Sequence, residues 1–218
     1  MRMVLGNEIL PKSYITAVHA DEILDNAHIF SHLREATQDL DVIFAASAKR
    51  RKNFSSFSLD EAVEKIMGLP QTAQIGLVFG NERTGLTSQD LHHSNFRFTI
   101  PQAGRQPSYN LASAVLLTLF RISINGRINP SEASKEKLIS RKEQEDCICL
   151  ILQKLEKVKF LHSTNRRHVT EMMYDLLGRM CMTEKDRLLL LALFSKGVGS
   201  EVLSIESKDK AKERRHGK

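Results

Sequence analysis

The segment Leu77–Leu86 places chemically useful side chains directly after a run that is typical of a buried strand. Its sequence is LVFGNERTGL, so Gly80 and Gly85 enclose an asparagine, an acid, a base and a threonine. Glycine at the first of these positions lets a ligand or another backbone approach closely, and glycine at the second suits a turn or a positive φ. Glu82 and Arg83 could form a surface pair, or they could face a polar ligand held by the loop.

A second polar group, Ser108-Tyr109-Asn110, stands where a long apolar helix is predicted to begin. The first N–H groups of a helix have no partner within the helix, so this position can bind an anion or a polar ligand atom. Ser108 could also serve only as a helix cap. Taken singly, these residues leave both interpretations open.

A basic run follows the predicted strand at residues 41–46 and two small residues. Its members are Lys49, Arg50, Arg51 and Lys52. They could contact the phosphates of a nucleic acid, or they could form a solvated surface loop. All three polar groups follow a predicted strand, and ligands of open α/β sheets bind beyond the carboxyl ends of strands. The three loops are therefore candidates for one shared pocket.

The elements that must position these loops alternate between strand and helix patterns over the first 125 residues. Short apolar runs predict strands over residues 1–7, 41–46, 74–79 and 96–100. Helical spacing predicts helices over 13–20, 31–40 and 108–124, whereas 21–27 is expected to be a turn-like connection. Capping-box patterns start helices at Ser58, ending near Met67, and at Thr87. The alternation predicts a parallel α/β sheet covered by helices on both faces.

The chain changes character after this region. Residues 125–137 hold turn formers and charges and are predicted to form a linker. Residues 138–160, 166–182 and 183–194 carry helical patterns without strand signals, and the polar end of the chain is predicted to be disordered. We therefore expect an α/β domain over 1–126, a linker over 127–137, a helical extension over 138–204 and a basic tail over 205–218.

Composition narrows the function classes. The formal net charge of +6 favours an anionic partner, of which nucleic acid is the commonest. Three cysteines, an odd number without a C-x-x-C pair, argue against a secreted disulfide framework or a zinc site. The adjacent His92 and His93 are expected at the surface rather than on a metal. No apolar run has membrane-spanning length and no signal-peptide pattern is present, so a soluble cytoplasmic protein is expected.

Two of the patterns together resemble a known family. Gly-Asn-Glu-Arg-x-Gly-Leu at 80–86, then a strand, Ile100-Pro101 and Ser-x-Asn-Leu-Ala-x-Ala from residue 108, resembles the second and third motifs of the SpoU (TrmH-type) RNA methyltransferases. The chain is most similar to the TrmJ-like branch, which 2′-O-methylates tRNA and carries a C-terminal helical extension. The resemblance covers nearly the whole chain. It implies a parallel α/β sheet with a deep trefoil-type knot, an exception to the usual rule against threaded chains.

The resemblance also implies a set of site residues and partners. The residues that would line an S-adenosyl-L-methionine site, mostly through backbone atoms, are Ala46, Ser47, Ala48, Gly80, Ile100, Pro107, Ser108 and Tyr109. Those implied for catalysis are Glu82, Ser108 and Asn110, and those implied for RNA binding are Lys49, Arg50, Arg51, Lys52 and Arg83. Family members usually have leucine where Tyr109 stands, so a larger ring must be accommodated. A homodimer formed through the knot region is also implied.

One family motif has no counterpart in this sequence. That first motif supplies an asparagine and an arginine, whereas residues 1–7 match the family's second strand. Arg2 lies within this strand-like segment and does not replace the arginine. We therefore expect a largely intact cofactor pocket, weak or absent methyl transfer and uncovered apolar surface. The missing motif predicts either a truncated or misassigned start or a shortened paralogue. Two functions stay open: ribose 2′-O-methylation of RNA, with tRNA favoured over rRNA, and a non-catalytic RNA-binding module.

Overall fold

The computed structural model of the chain describes residues 1–4, 9, 11–48, 56–102, 108–128 and 136–195. The strands with assigned bounds are β1 (Arg2–Val4), β2 (His28–Phe30), β3 (Val42–Ala46), β4 (Phe57–Ser58), β5 (Ile75–Phe79) and β6 (Phe96–Thr99). The helices are α1 (Pro11–Ala17), α2 (Asp21–Asp25), α3 (Leu33–Thr37), α4 (Leu59–Met67), α5 (Ser88–His93), α6 (Leu111–Ile128), α7 (Arg141–Lys157) and α8 (Arg166–Gly178). Residues 184–195 form a further helical run.

Four strands form one parallel sheet in the order β4-β6-β3-β5. β3 lies inside this sheet, between β5 and β6. Its residues Val42, Ile43, Phe44 and Ala45 are fully buried, as expected for an unbroken apolar strand in a sheet covered on both faces. The predicted parallel α/β sheet is therefore confirmed. The knot stays a prediction.

β1 and β2 form a separate parallel pair that packs against α3. The Arg2 guanidinium ties β1 to this helix, because it donates to the Ala36 carbonyl at 2.5 Å and pairs with the Asp39 carboxylate. Large apolar side chains in this part of the chain are exposed, among them those of Ile15, Val18, Ile23 and Ile29.

α4 begins at the predicted capping box and covers the sheet. Ser58 Oγ accepts from the Glu61 N–H at 3.2 Å, and the Glu61 carboxylate accepts from the Ser58 N–H at 2.7 Å. Its buried residues Ala62 and Val63 belong to the same apolar core as the β3 side chains. α6 packs beside α4. The carboxyl ends of β3 and β5 are thereby held in a fixed scaffold.

The helical unit, defined as residues 139–195 with α7, α8 and the run at 184–195, has a core of its own. Its buried members are Ile139, Cys147, Ile148, Ile151, Leu177 and Met182. The unit docks at the amino end of the parallel sheet. Arg141 N, at the start of α7, donates to the Leu40 carbonyl just before β3 at 2.6 Å. Asn95, just before β6, donates from Nδ2 to the Gly178 carbonyl of α8 at 2.7 Å.

Two local predictions were wrong, and two short strands were missed. Residues 21–27 are not a turn-like connection, since Asp21–Asp25 is helix α2, with two acids in its first turn where the helix dipole favours them. The short strands β2 and β4 were not anticipated. His93 is not a surface residue, because its side chain is only 11% exposed and contacts Glu145 of α7.

Other expectations concern cysteines, membranes and segments outside the described ranges. The three cysteines are free thiols, and Cys147 is buried in the core of the helical unit. Among the described residues, no helix is both long and apolar enough to cross a membrane. Most of the predicted linker, residues 129–135, and the chain from residue 196 onward lie outside the described ranges.

Candidate functional site

A cavity of about 790 Å³ opens at the carboxyl end of the sheet, where the loops after β3, β5 and β6 meet the start of α6. Seven of the eight residues predicted to line a cofactor are in its wall: Ala46, Ser47, Ala48, Gly80, Ile100, Ser108 and Tyr109. Glu82 and Arg83 also line it. The remaining predicted site residues that fall outside the described ranges are Pro107, Lys49, Arg50, Arg51 and Lys52.

The loop after β5 is closed by a short network centred on Asn81. The Asn81 carbonyl accepts from the Gly85 N–H at 2.9 Å. The Asn81 side-chain oxygen accepts from the Thr84 N–H at 2.8 Å and from the Thr84 hydroxyl at 2.9 Å. Gly85 has a φ of +66°, a conformation that favours glycine. The loop is therefore held in one shape before any ligand arrives.

Asn81 and Thr84 are site residues that the sequence analysis did not single out. Both line the cavity, and both act by shaping the loop that carries Glu82 and Arg83. The signal was present in the sequence, because asparagine three residues before a threonine and followed by glycine is typical of a turn closed by the asparagine side chain.

Gly80 is required by close packing inside this loop rather than by its own dihedral angles. A Cβ at this position would lie 2.5 Å from the backbone nitrogen of Leu86 and closer still to the carbonyl carbon of Gly85. Those are backbone atoms, so a larger side chain cannot be accommodated by a simple rotation. The prediction that Gly80 permits a close approach is confirmed, and the approaching group is the loop's own backbone.

The loop after β3 is fixed to β6 through the backbone of Ser47. Ser47 N–H donates to the Phe98 carbonyl at 2.9 Å, and the Ser47 carbonyl accepts from the Thr99 hydroxyl at 2.9 Å. Both backbone polar groups of Ser47 are thus engaged within the fold. Ser47 is left to meet a ligand with its side chain and its van der Waals surface.

The residues just before α6 have two roles: one caps the helix and another lines the cavity. The Asn110 side-chain oxygen accepts from the Ser113 N–H at 2.7 Å, and its carbonyl accepts from the Ala114 N–H at 2.9 Å, so Asn110 caps the helix. Asn110 is not in the cavity wall, whereas Ser108 is. The sequence suggested Ser108 as the cap, and the structure assigns that role to Asn110.

The Tyr109 ring forms part of the cavity wall without closing it. Its hydroxyl donates to the Pro101 carbonyl at 3.2 Å, and the residue is 38% exposed. The hydrogen bond connects the end of β6 with the start of α6 across the cavity. Tyr109 therefore offers an aromatic face at a position where the family usually has an aliphatic side chain.

The electrostatic character of the site comes from few groups. The ionisable side chains in the described wall are Glu82, Arg83 and Tyr109. Glu82 and Arg83 are both exposed, and neither has a hydrogen bond or ion pair with another described residue. They do not form the surface pair that was one interpretation of their adjacency. Both charges are available to a bound molecule.

Comparison with known proteins identifies the family. A model of the SpoU rRNA methylase family matches residues 4–120, more than half of the chain. The chain belongs to the SpoU methylase family. The resemblance stated from the 80–86 and 108–114 motifs is thereby confirmed.

Named relatives place this SpoU family member close to TrmJ proteins. It is 34% identical over 156 residues to the tRNA (cytidine-2′-O-)-methyltransferase TrmJ of Methanocaldococcus jannaschii, covering 66% of this chain and 65% of the relative. It is 25% identical over 189 residues to a TrmJ of Pseudomonas aeruginosa named for cytidine, uridine and adenosine 2′-O-methylation of tRNA, covering 81% and 74%. The chain spans between half and two thirds of the length of the first four curated relatives.

Solved structures confirm the fold of this SpoU family member. The crystal structure of TrmJ from Z. mobilis ZM4 matches with a TM-score of 0.73 at 22% identity, covering 89% of this chain and 84% of that chain. A putative methylase family protein from Neisseria gonorrhoeae matches with a TM-score of 0.59 at 26% identity over 65% of this chain. At these identities the first match supports the arrangement of the elements and says nothing of chemistry.

Proposed function

We propose that this chain binds S-adenosyl-L-methionine in the 790 Å³ cavity and takes part in methylating a ribose 2′-oxygen of RNA. The observation that carries the proposal is the convergence of three loops on one cavity. Each loop was singled out from sequence as a possible ligand loop, and each contributes wall residues. The cavity volume is within the range of small-molecule and cofactor sites, about 300–1,000 Å³.

The residues present fit such a cofactor. Gly80 and Ala46 leave the strand ends without bulky side chains, and the Tyr109 ring offers a flat face for a base. When bound, the cofactor would supply a sulfonium-activated methyl group, so the protein's main task is to align the acceptor hydroxyl. Alignment alone can account for a large part of the rate of such a reaction.

The chemical roles assigned to protein side chains are modest. The Glu82 carboxylate lines the cavity and could take the proton of the 2′-hydroxyl, a contribution of about 10²–10⁴-fold in rate. The Ser108 hydroxyl lies in the same wall and could orient the acceptor oxygen. Asn110 would act through α6, since its side-chain oxygen is used as a helix cap.

The RNA partner is proposed to be tRNA in preference to rRNA. The support is that the TrmJ relatives are named as tRNA 2′-O-methyltransferases. Arg83 at the cavity mouth would contact a phosphate. Lys49, Arg50, Arg51 and Lys52 are proposed for the same role from their position after β3, and such contacts would orient the RNA without reading its sequence. A cytoplasmic location belongs to the same proposal.

A homodimer formed through α6 is proposed as the assembly. Leu116, Leu119 and Phe120 are 68%, 50% and 59% exposed, and their spacing puts them on one face of α6. α6 also supplies Leu111 and Ala114 to the cavity wall near its amino end, so the proposed interface and the site share this helix. An apolar helix face of this kind is a common mark of an interface.

A second candidate function is a non-catalytic RNA-binding module. The observation in its favour is the scarcity of acid–base groups, because Glu82, Arg83 and Tyr109 are the ionisable side chains in the described wall. Such a module would bind RNA, with or without the cofactor, and would transfer no methyl group.

Binding and transfer assays separate these functions. Calorimetry with S-adenosylhomocysteine measures cofactor binding, and transfer of a labelled methyl group to unmodified tRNA measures catalysis. The matched substrate is the same tRNA carrying 2′-deoxyribose at the modified position. We expect binding with weak transfer, which the deoxy substrate abolishes. Cofactor binding without transfer to either tRNA supports the module, and absence of cofactor binding overturns the methyltransferase proposal.

A further inference from the structure

α5 connects the cavity to the opposite end of the sheet. The helix directly follows the loop of residues 80–86 that lines the cavity, and it leads to Asn95, just before β6. At its start, the Thr87 hydroxyl accepts from the Asp90 N–H at 3.1 Å, and the Asp90 carboxylate accepts from the Thr87 N–H at 2.8 Å. With six residues, α5 is about 9 Å long. A displacement at one end therefore reaches the other.

The far end of α5 is held by α7. His93, the last residue of α5, places Nδ1 2.6 Å from Glu145 Oε1, and its Nε2 lies 2.7 Å from the Thr37 hydroxyl of α3. Glu145 is 5% exposed and also pairs with Arg34 at 2.6 Å. Both ring nitrogens of His93 are thus engaged, and the imidazole orientation is fixed by α3 and α7.

A second connection runs from α5 to α8 through Arg97. The Arg97 Nε donates to the Leu91 carbonyl of α5 at 2.9 Å, and its Nη1 lies 3.1 Å from Asp175 Oδ1 of α8. The Arg97 side chain is only 6% exposed, so its ion pair with Asp175 is a buried contact and not a surface contact. α5 therefore has one anchor on each of the two long helices of the helical unit.

We propose that the helical unit positions residues 80–86, the pocket loop, through α5. Glu145 and Asp175 are then positioning residues for cofactor binding. The ligand in this inference rests on the proposed function. The connection from the helical unit to the pocket loop rests on the contacts of α5 alone. The pocket loop is closed internally by Asn81 but meets the rest of the fold through β5 and α5. When either anchor is lost, α5 is held less firmly, and the loop loses support on that side. The ligand must then order the loop on binding.

The test uses variants that keep the shape of the anchors. Glu145→Gln and Asp175→Asn remove one charge each, and Asp175→Glu keeps the carboxylate. Glu184→Gln is the matched control, because the Glu184 carboxylate pairs with Arg187 within residues 184–195 and not with a residue of α5. Each full-length variant is compared with the parent by calorimetry with S-adenosylhomocysteine, by hydrogen exchange of residues 81–93 and by melting temperature.

We expect Glu145→Gln and Asp175→Asn to raise the dissociation constant and to speed exchange over residues 81–93, each by about 5-fold or more, a range typical of coupling between sites. Asp175→Glu should restore both quantities, and Glu184→Gln should change neither. A lower melting temperature with unchanged affinity and unchanged exchange overturns the inference. If the parent binds no S-adenosylhomocysteine, the proposed function fails, and the exchange of residues 81–93 still decides whether the anchors hold the loop.

Discussion

Gly80 is the residue at which the pocket loop is most sensitive to one added methyl group. Gly80→Ala should shift the backbone of Gly85 and Leu86, because the new Cβ would overlap both. We expect a loss of about 1–3 kcal/mol in the free energy of unfolding and a weaker affinity for S-adenosylhomocysteine. Gly68→Ala is the control, since a Cβ there meets only ordinary contacts at 3.6 Å. Urea unfolding and calorimetry that find Gly80→Ala equal to this control would contradict the geometry.

Tyr109 makes ligand binding visible in this chain, which has three tyrosines and no tryptophan. A base placed against the Tyr109 ring should change the tyrosine emission, and Tyr109→Phe should abolish most of that change. Tyr109→Leu should raise the dissociation constant of S-adenosylhomocysteine by about 2- to 10-fold, because an aromatic pair adds about 0.5–1.5 kcal/mol. Tyr14→Phe, outside the cavity wall, should keep the signal. Loss of the emission change in Tyr14→Phe instead would exclude the assigned position of the ring.

At the scale of elements, α6 depends on a cap that the cavity does not use. Asn110→Ala should lower the free energy of unfolding by about 0.5–2 kcal/mol, because the Ser113 N–H loses its acceptor. Asn110→Ser keeps a capping oxygen and should recover most of that stability. Methyl-transfer rates then show whether Asn110 acts only by stabilising α6 or also in the reaction. A Ser variant that is stable but has lost transfer would give Asn110 a catalytic role beyond the cap.

The docking of α7 should depend on pH through Glu145. Burial raises the pKa of this carboxyl, but the hydrogen bond from His93 and the charges of His93, Arg141 and Arg34 outweigh burial and lower it. An acid with a depressed pKa contributes stability above its unfolded pKa, about 4.3, and loses it as the pH falls through the folded value. Urea unfolding should show a smaller loss of stability between pH 5 and pH 3 in Glu145→Gln than in the parent. Glu136→Gln, which removes an exposed pair with Lys185, should behave like the parent.

Local sequence patterns predicted the elements whose structure depends on their own residues and not on distant ones. The strand run at 42–46 and the capping box at Ser58 needed no knowledge of distant residues, and both were found where expected. β2 and β4 have three and two residues, so their pairing is decided by neighbouring strands. The burial of His93 likewise depends on Glu145, which lies on a helix far along the chain. Motif residues of the cavity were predictable because a resemblance supplied their roles, whereas the anchors of α5 were visible only in three dimensions.

For the whole molecule, the proposed homodimer can be tested at the exposed face of α6. If Leu116, Leu119 and Phe120 meet the same face of a second copy, sedimentation velocity should give twice the chain mass of 24.7 kDa. Phe120→Glu should produce monomers, because two carboxylates would be buried near the two-fold axis without partners. Leu193→Glu is the control, since Leu193 is 56% exposed in the helical unit and away from α6 in sequence. If Phe120→Glu remains a dimer and Leu193→Glu becomes a monomer, the interface lies in the helical unit and not on α6.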